Sequence, residues 1–137
     1  MSVFLDSSAL IGLLAENDVH HASARSTWRQ LVLADEDLWT SNYVVVETIA
    51  ALQRRVGIAA VRELRSAVLP AVVISWVTPE EHAAALAALV ATNRRELSLV
   101  DCTSFVLMRD RGTEQAFAFG PHFAEQGFQC VPSPSSA

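Results

Sequence analysis

The feature that most constrains this chain is a regular alternation of short strands and longer helices. The predicted strands are apolar on both faces, as in residues 3–5, 38–40 and 72–77, and a helical pattern follows each of them. A strand without a polar face must be covered on both sides, which is typical of a parallel sheet in an α/β protein. We therefore predict a three-layer α/β/α sandwich with a mostly parallel central sheet.

Local signals place the individual elements of this fold. The segment from Thr78 to Glu81 combines an N-cap threonine, a proline at the first helical position and a capping-box carboxylate, so it predicts the start of a helix. The predicted strands cover residues 3–5, 38–40, 72–77, 115–119 and 128–131. The predicted helices cover residues 9–15, 20–33, 43–56, 58–69, 79–92 and 98–111, with a helical turn at 121–126. We predict a folded domain over residues 1–131 and a flexible tail over 132–137.

Composition excludes several classes of protein. With 137 residues the chain is long enough for one domain whose core needs neither disulfides nor a structural metal. A formal net charge of −5 argues against binding nucleic acid by bulk attraction. The apolar content of 51% predicts self-association, and we expect a homodimer. Two cysteines without C-x-x-C spacing and no apolar run of membrane-spanning length predict a cytoplasmic protein with no membrane partner.

Three carboxylates in apolar sequence are the candidate site residues. Asp6 follows the first strand, at the end where parallel sheets bind ligands, and its alternative role is that of a helix N-cap. Glu47 lies in an apolar helix and needs a positive or hydrogen-bonding partner, so an ion pair with an arginine is its alternative. Asp101 begins a helix, and its alternative role is a capping box with Ser98.

Taken together, the three acids lie near the starts of helices that can face one edge of the sheet. Like charges gathered in a cleft repel and raise one another's pKa unless a cation neutralises them. Ligands that are all oxygen indicate a hard ion, Mg²⁺ or Mn²⁺, rather than zinc.

Four segments of the chain occur in an order and spacing that resemble one known family. They are Phe4-Leu5-Asp6-Ser7-Ser8-Ala9-Leu10, then Ser41-Asn42-Tyr43 with Glu47, then Ser98-Leu99-Val100-Asp101-Cys102, then Ala118-Phe119-Gly120-Pro121-His122-Phe123. This pattern resembles the PIN-domain ribonucleases, and within them the VapC-type toxins of toxin–antitoxin pairs. The resemblance spans nearly the whole chain.

The resemblance implies a metal-dependent endoribonuclease toxin that is held inactive by a cognate antitoxin. It implies that Asp6, Glu47 and Asp101 coordinate Mg²⁺ or Mn²⁺, which activates a water for attack on an RNA phosphodiester. Ser7 resembles the small hydroxyl residue that supports the family's site. Because Arg94 and Arg95 precede the Asp101 helix, we expect them to contact RNA phosphates at the mouth of the cleft.

The chain departs from the family pattern at Gly120, where the family usually carries a fourth acid. Three carboxylates are enough for one divalent ion, but a second ion would be poorly held. Asp110, Glu114 and Glu125 lie nearby in the sequence, and we assign the missing role to none of them. The departure indicates either a weakened natural nuclease or a deliberate inactivating change.

Two other functions are consistent with the residues. One is a catalytically weakened or inactive module that keeps the fold and binds antitoxin or RNA without cleaving it. The other is a phosphate-handling receiver-like or phosphatase-like domain, which the absence of lysine and the serine at position 8 disfavour. The four histidines are not at ligand spacing from the acids, and we assign them no part in the chemistry; only His122 is placed near the edge of the site.

Overall fold

The structure is a computed structural model that describes residues 1–133. Its centre is a five-stranded sheet in which every strand pairs in parallel, in the order β3-β2-β1-β4-β5. The strands are β1 (Ser2–Leu5), β2 (Asp37–Ser41), β3 (Val73–Ser75), β4 (Gln115–Phe117) and β5 (Gln129–Val131). The predicted α/β/α sandwich with a parallel sheet is therefore confirmed. The predicted tail lies outside the described residues from position 134 onward.

Seven helices cover the sheet in the described part of the chain: α1 (Ser7–Leu14), α2 (His21–Leu33), α3 (Asn42–Arg55), α4 (Ile58–Glu63), α5 (Pro79–Thr92), α6 (Leu99–Arg111) and α7 (His122–Glu125). The predicted helix over 58–69 keeps its α-helical form only as far as Glu63. It continues as a π-helical turn (Leu64–Val68) and a 3-10 turn (Leu69–Ala71), because Pro70 lacks the N–H that a continuous helix requires. None of the helices in residues 1–133 has the length and apolar character to cross a bilayer.

The strands differ from their predicted lengths mainly at the edge and at the carboxyl end of the sheet. In β1, at the centre, Val3, Phe4 and Leu5 are fully buried, as the apolar pattern predicts. β3 lies at the edge and pairs with β2 alone among the described strands; its ladder is only three residues long, and Val73 is 70% exposed. β4 ends at Phe117, two residues earlier than predicted.

The carboxyl ends of the strands position the candidate residues. Asp6 follows β1 directly and is the N-cap of α1, and Ser41 ends β2 and is the N-cap of α3, the helix that carries Glu47. Ser98 is the N-cap of α6, which carries Asp101 in its first turn. Because all strands are parallel, the helices that follow β1 and β2 begin at the same edge of the sheet.

Candidate active site

Asp6 is the most buried carboxylate of the site, with only 6% of its surface exposed. Its Oδ2 atom accepts hydrogen bonds from the Ser8 amide at 3.1 Å and from the Ser8 hydroxyl at 2.6 Å. Its Oδ1 atom is buried and has no hydrogen-bond partner. The N-cap interpretation is therefore correct for one oxygen, and the other oxygen is left free for a ligand.

The electrostatic environment of Asp6 links the three predicted acids. Burial raises its pKa to about 6, the two hydrogen bonds from Ser8 lower it, and the charges of Asp101 and then Glu47 raise it further. Two carboxylates from distant parts of the sequence therefore act electrostatically on Asp6. The structure brings Asp6, Glu47 and Asp101 into one negatively charged region.

Glu47 is half-buried on α3, and its Oε1 atom accepts a short hydrogen bond from the Ser7 hydroxyl. No arginine in residues 1–133 forms an ion pair with it, so the alternative of a structural ion pair is wrong. Ser7 is the first residue of α1, next to Asp6, and it orients Glu47 towards the first acid. The contact joins Ser7 to one of the three acids, and the supporting role of Ser7 in the site stays a prediction.

Asp101 forms the capping box with Ser98 that the sequence suggested as its alternative role. Its charge also acts on Asp6. Its Oδ2 atom accepts a hydrogen bond from the Ser98 amide at 3.1 Å, while the Ser98 hydroxyl accepts one from the Asp101 amide at 3.0 Å. The capping box thus holds the carboxylate at the start of α6. Only one carboxylate oxygen is used in this way, so capping and a site role are compatible.

The three carboxylate side chains are chemically suited to binding a hard divalent ion. All three side chains offer carboxylate oxygens, and the buried, unpartnered Oδ1 of Asp6 needs a positive partner. The side chains do not close around a ready-made position, however: among residues 1–133, no three His, Cys, Asp or Glu side chains stand together as a metal site.

The two predicted RNA-binding arginines differ in their surroundings. Arg94 is ion-paired with Glu96 at 2.7 Å and with Glu125 at 3.4 Å, so much of its charge is neutralised. Arg95 is exposed and has no charged partner in the described part of the chain. Both precede α6, at the end of that helix where Asp101 lies. Arg95 is thus the better placed of the two to meet a phosphate.

Gly120 lies in the turn between β4 and α7, beside the carboxylates. The preceding amide, of Phe119, donates a hydrogen bond to the Ser8 hydroxyl at 3.0 Å, and that hydroxyl donates in turn to Asp6. Gly120 has a φ of +91°, and a Cβ atom there would meet no other atom within 4 Å. A side chain at this position has space, but its backbone would be strained.

Ser8 is a site residue that the sequence interpretation missed. It connects the carboxylate of Asp6 to the backbone of Phe119, 111 residues away. The Asp-Ser-Ser segment was the signal in the sequence, because an aspartate in a turn often accepts a hydrogen bond from the amide of the residue two positions later. The link to Phe119 has no local signal.

Comparison with known proteins identifies the family. The PIN domain family matches residues 3–129. The 23S rRNA-specific endonuclease VapC20 of Mycobacterium tuberculosis, from strain H37Rv and from strain CDC 1551, is 35% identical over 127 residues, which are 92% of this chain and 95% of the relative.

Solved structures agree with this assignment. The crystal structure of M. tuberculosis VapC20, described as a sarcin-ricin loop cleaving toxin, superposes with a TM-score of 0.80 at 34% identity, over 92% of this chain and 95% of that one. PAE2754 from Pyrobaculum aerophilum shares the fold with a TM-score of 0.61 at 20% identity, over 96% of this chain and 92% of that one. The family match and these similarities agree with the presence of three acids at one edge of a parallel sheet. The chain therefore belongs to the PIN domain family, among its VapC-type members.

Proposed function

We propose that the protein is a divalent-metal-dependent endoribonuclease and the toxin of a toxin–antitoxin pair. The observation that carries this proposal is the buried, unpartnered Oδ1 atom of Asp6, which two further carboxylates surround with negative charge. A relative at 35% identity that is named as a 23S rRNA-specific endonuclease supports RNA as the substrate.

Each acid has a defined task in this proposal. Asp6 would hold Mg²⁺ or Mn²⁺ through Oδ1, because Ser8 occupies its other oxygen. Glu47, held by Ser7, and Asp101, held by Ser98, would complete the protein ligands with little loss of side-chain freedom. When bound, the metal supplies an activated water and neutralises charge that develops on the phosphate.

The proposal is tested by incubating the purified chain with a structured ribosomal RNA fragment, with Mg²⁺ or Mn²⁺ and with a chelator. We expect divalent-dependent cleavage that Asp6→Asn abolishes. The matched control is Asp110→Asn, an exposed carboxylate on the same helix as Asp101 but distant from its first turn, which should leave cleavage unchanged. Cleavage that persists in Asp6→Asn or in the chelator would refute the metal-dependent mechanism.

A second candidate function is a PIN module that binds RNA or antitoxin without cleaving it. The glycine at position 120, where the family usually has an acid and where a positive φ of +91° disfavours any other residue, is the observation that favours it. A pure binding module would show no rise in melting temperature with Mn²⁺, whereas a metal site would.

The variant Gly120→Asp separates a weakened nuclease from an inactive one. Its carboxylate should increase Mn²⁺ affinity and cleavage, while the positive φ should cost about 1–3 kcal/mol of stability. Gly120→Asn is the control, because it carries the same strain without the charge. Equal Mn²⁺ affinity in the two variants would show that position 120 does not contribute to the site.

We also propose a homodimer and a cognate antitoxin as partners. The helices α3 and α5 meet at Tyr43 and His82, and the next turns of both expose Val46, Leu86 and Val90. Such an apolar face favours a second copy of the chain. Val90→Glu should convert a dimer to a monomer in sedimentation experiments, and Leu33→Glu, on α2, should not. The two buried, free cysteines favour the cytoplasm as the location.

A further inference from the structure

Two pairs of aromatic rings flank the carboxylates at the carboxyl edge of the sheet. On one side the imidazole of His20 stacks on the ring of Phe119, with ring centroids 4.2 Å apart and planes 6° apart. On the other side Tyr43 meets His82 edge-on, with centroids 5.9 Å apart, and a 2.6 Å hydrogen bond joins the Tyr43 hydroxyl to His82 Nδ1. Phe119 follows β4 and Tyr43 follows β2, which are the two neighbours of the strand that ends at Asp6.

Each pair is connected to one of the acids. The Phe119 amide donates to the Ser8 hydroxyl at 3.0 Å, and the same hydroxyl donates to Asp6 at 2.6 Å. Tyr43 lies four residues before Glu47 on α3, so the two side chains share a face of that helix. The two pairs therefore lie on opposite sides of the strand that ends at Asp6, and each is connected to one of the acids.

The rings of these two pairs are accessible. His20 is exposed, and Phe119, Tyr43 and His82 are half-buried. The rings of the core, such as Phe4 and Phe117, are fully buried. Packing explains the core rings, whereas the two pairs at the edge leave ring surface open to a ligand.

Electrostatics provides little of the attraction that an RNA ligand would need. The chain has a net charge of −5, the proposed site contains three carboxylates, and Arg94 is paired with two glutamates. Proteins that bind single strands gain affinity from bases stacked on aromatic rings as well as from charge. Stacking requires bases that are unpaired and turned outward, as in loops.

We propose that the His20–Phe119 pair and the Tyr43–His82 pair bind unpaired nucleobases on the two sides of the phosphodiester that faces the carboxylates. The substrate is then RNA whose bases are unstacked at the point of cleavage. This inference rests on the proposed function, in that it assumes that the carboxylate site acts on RNA, but it concerns binding and requires no metal.

Binding can be measured without cleavage in the full-length Asp6→Asn chain, by fluorescence anisotropy with a labelled, unstructured RNA oligonucleotide in a chelator. His20→Ala and Tyr43→Leu should each weaken binding by about tenfold, the effect of losing one stacked base. His20→Phe and Tyr43→Phe keep a ring and should bind within about twofold of the parent. The same sequence in a duplex should bind more weakly than the single strand.

Two controls separate stacking from a structural role. Phe128→Leu removes a ring before β5, at the opposite edge of the sheet, and should leave RNA binding unchanged. An oligonucleotide with abasic sites should bind about tenfold more weakly than the intact oligonucleotide to a protein that keeps all four rings. This experiment requires no substitution in the rings. Because the abasic arm leaves the rings intact, a ring variant that fails to fold does not affect it.

The inference is overturned if the abasic and intact oligonucleotides bind equally, if the duplex binds as tightly as the single strand, or if the phenylalanine variants fail to restore binding. These outcomes differ from failure of the proposed function. Divalent-dependent cleavage by the wild-type chain together with unaltered binding by the ring variants refutes only the stacking site. Absence of that cleavage together with ring-dependent binding refutes only the nuclease.

Discussion

At the scale of single residues, Asp6 combines a structural and a chemical role, and the two have opposite effects on stability. As N-cap it accepts two hydrogen bonds from Ser8, which stabilise α1. Its burial and the nearby acids raise its pKa to about 6, which means that the ionised form at neutral pH destabilises the fold. A site that must attract a cation thus costs stability while the cation is absent.

This conflict predicts how stability changes with pH in the metal-free protein. The folded-state pKa of Asp6 lies above its unfolded value of 3.8, so the folded chain binds the proton more tightly. The resulting stability is fully present below the unfolded value and is lost as pH rises through about 6, with a total of up to about 3 kcal/mol. Asp6→Asn should therefore be more stable than wild type at neutral pH.

Chemical denaturation in a chelator at several pH values measures this effect. The difference between wild type and Asp6→Asn should shrink as the pH falls from about 7 to about 4, since Asp6 becomes protonated. Asp110→Asn, at an exposed position, should follow the wild-type curve. A wild-type chain that is as stable as Asp6→Asn at neutral pH would show that Asp6 is not destabilised by its surroundings.

At the scale of elements, the same capping motif is used twice, at the starts of α5 and α6. Ser98 with Asp101 begins α6, and Thr78 with Glu81 begins α5, and in both cases both reciprocal hydrogen bonds are present. The two helices differ in one respect that matters for function. In α6 the capping carboxylate is also one of the two acids whose charge acts on Asp6.

Ser98→Ala and Thr78→Ala form a matched pair of variants. Each variant loses a helix N-cap, and its free energy of unfolding should fall by about 1 kcal/mol. Only Ser98→Ala releases the Asp101 carboxylate, so only this variant should bind Mn²⁺ more weakly. Thermal denaturation measures the first effect and titration calorimetry the second. Equal Mn²⁺ affinities for the two variants would show that the cap of α6 has no part in positioning Asp101.

At the scale of the whole molecule, charge sets how RNA binding responds to salt. Of the two arginines predicted to contact RNA, Arg94 is paired with two glutamates and Arg95 is exposed. An acidic protein with so few free cations near its site releases few counterions when it binds a single strand. Its affinity should therefore depend only weakly on ionic strength.

We expect a slope of about −1 to −2 for the logarithm of the binding constant against the logarithm of salt concentration. Arg95→Gln should reduce the magnitude of the slope by about 0.7, the contribution of one phosphate contact. Arg54→Gln, at the far end of α3, serves as the control and should leave the slope unchanged. Anisotropy titrations at several salt concentrations measure both slopes. A slope in Arg95→Gln as steep as that of the wild type would rule out this arginine as a phosphate contact.

The amino-acid sequence by itself determined the parallel α/β architecture, the helix starts at Thr78 and Ser98, and the candidate acids. These are local properties, because apolar runs, caps and strand ends are specified within a few neighbouring residues. The predicted end of β4 at 119 was wrong for a physical reason. The Phe119 amide bonds to Ser8 on a distant helix instead of continuing the ladder.

Only the tertiary structure decided what surrounds each of these residues. Ser7 rather than an arginine meets Glu47, two glutamates neutralise Arg94, and His20 stacks on a phenylalanine 99 positions away. The free oxygen of Asp6 likewise depends on how completely its surroundings bury it. Contacts of this kind join segments that are far apart in the chain, and packing of the whole sheet and its helices selects them. No local sequence pattern specifies which side chains meet there.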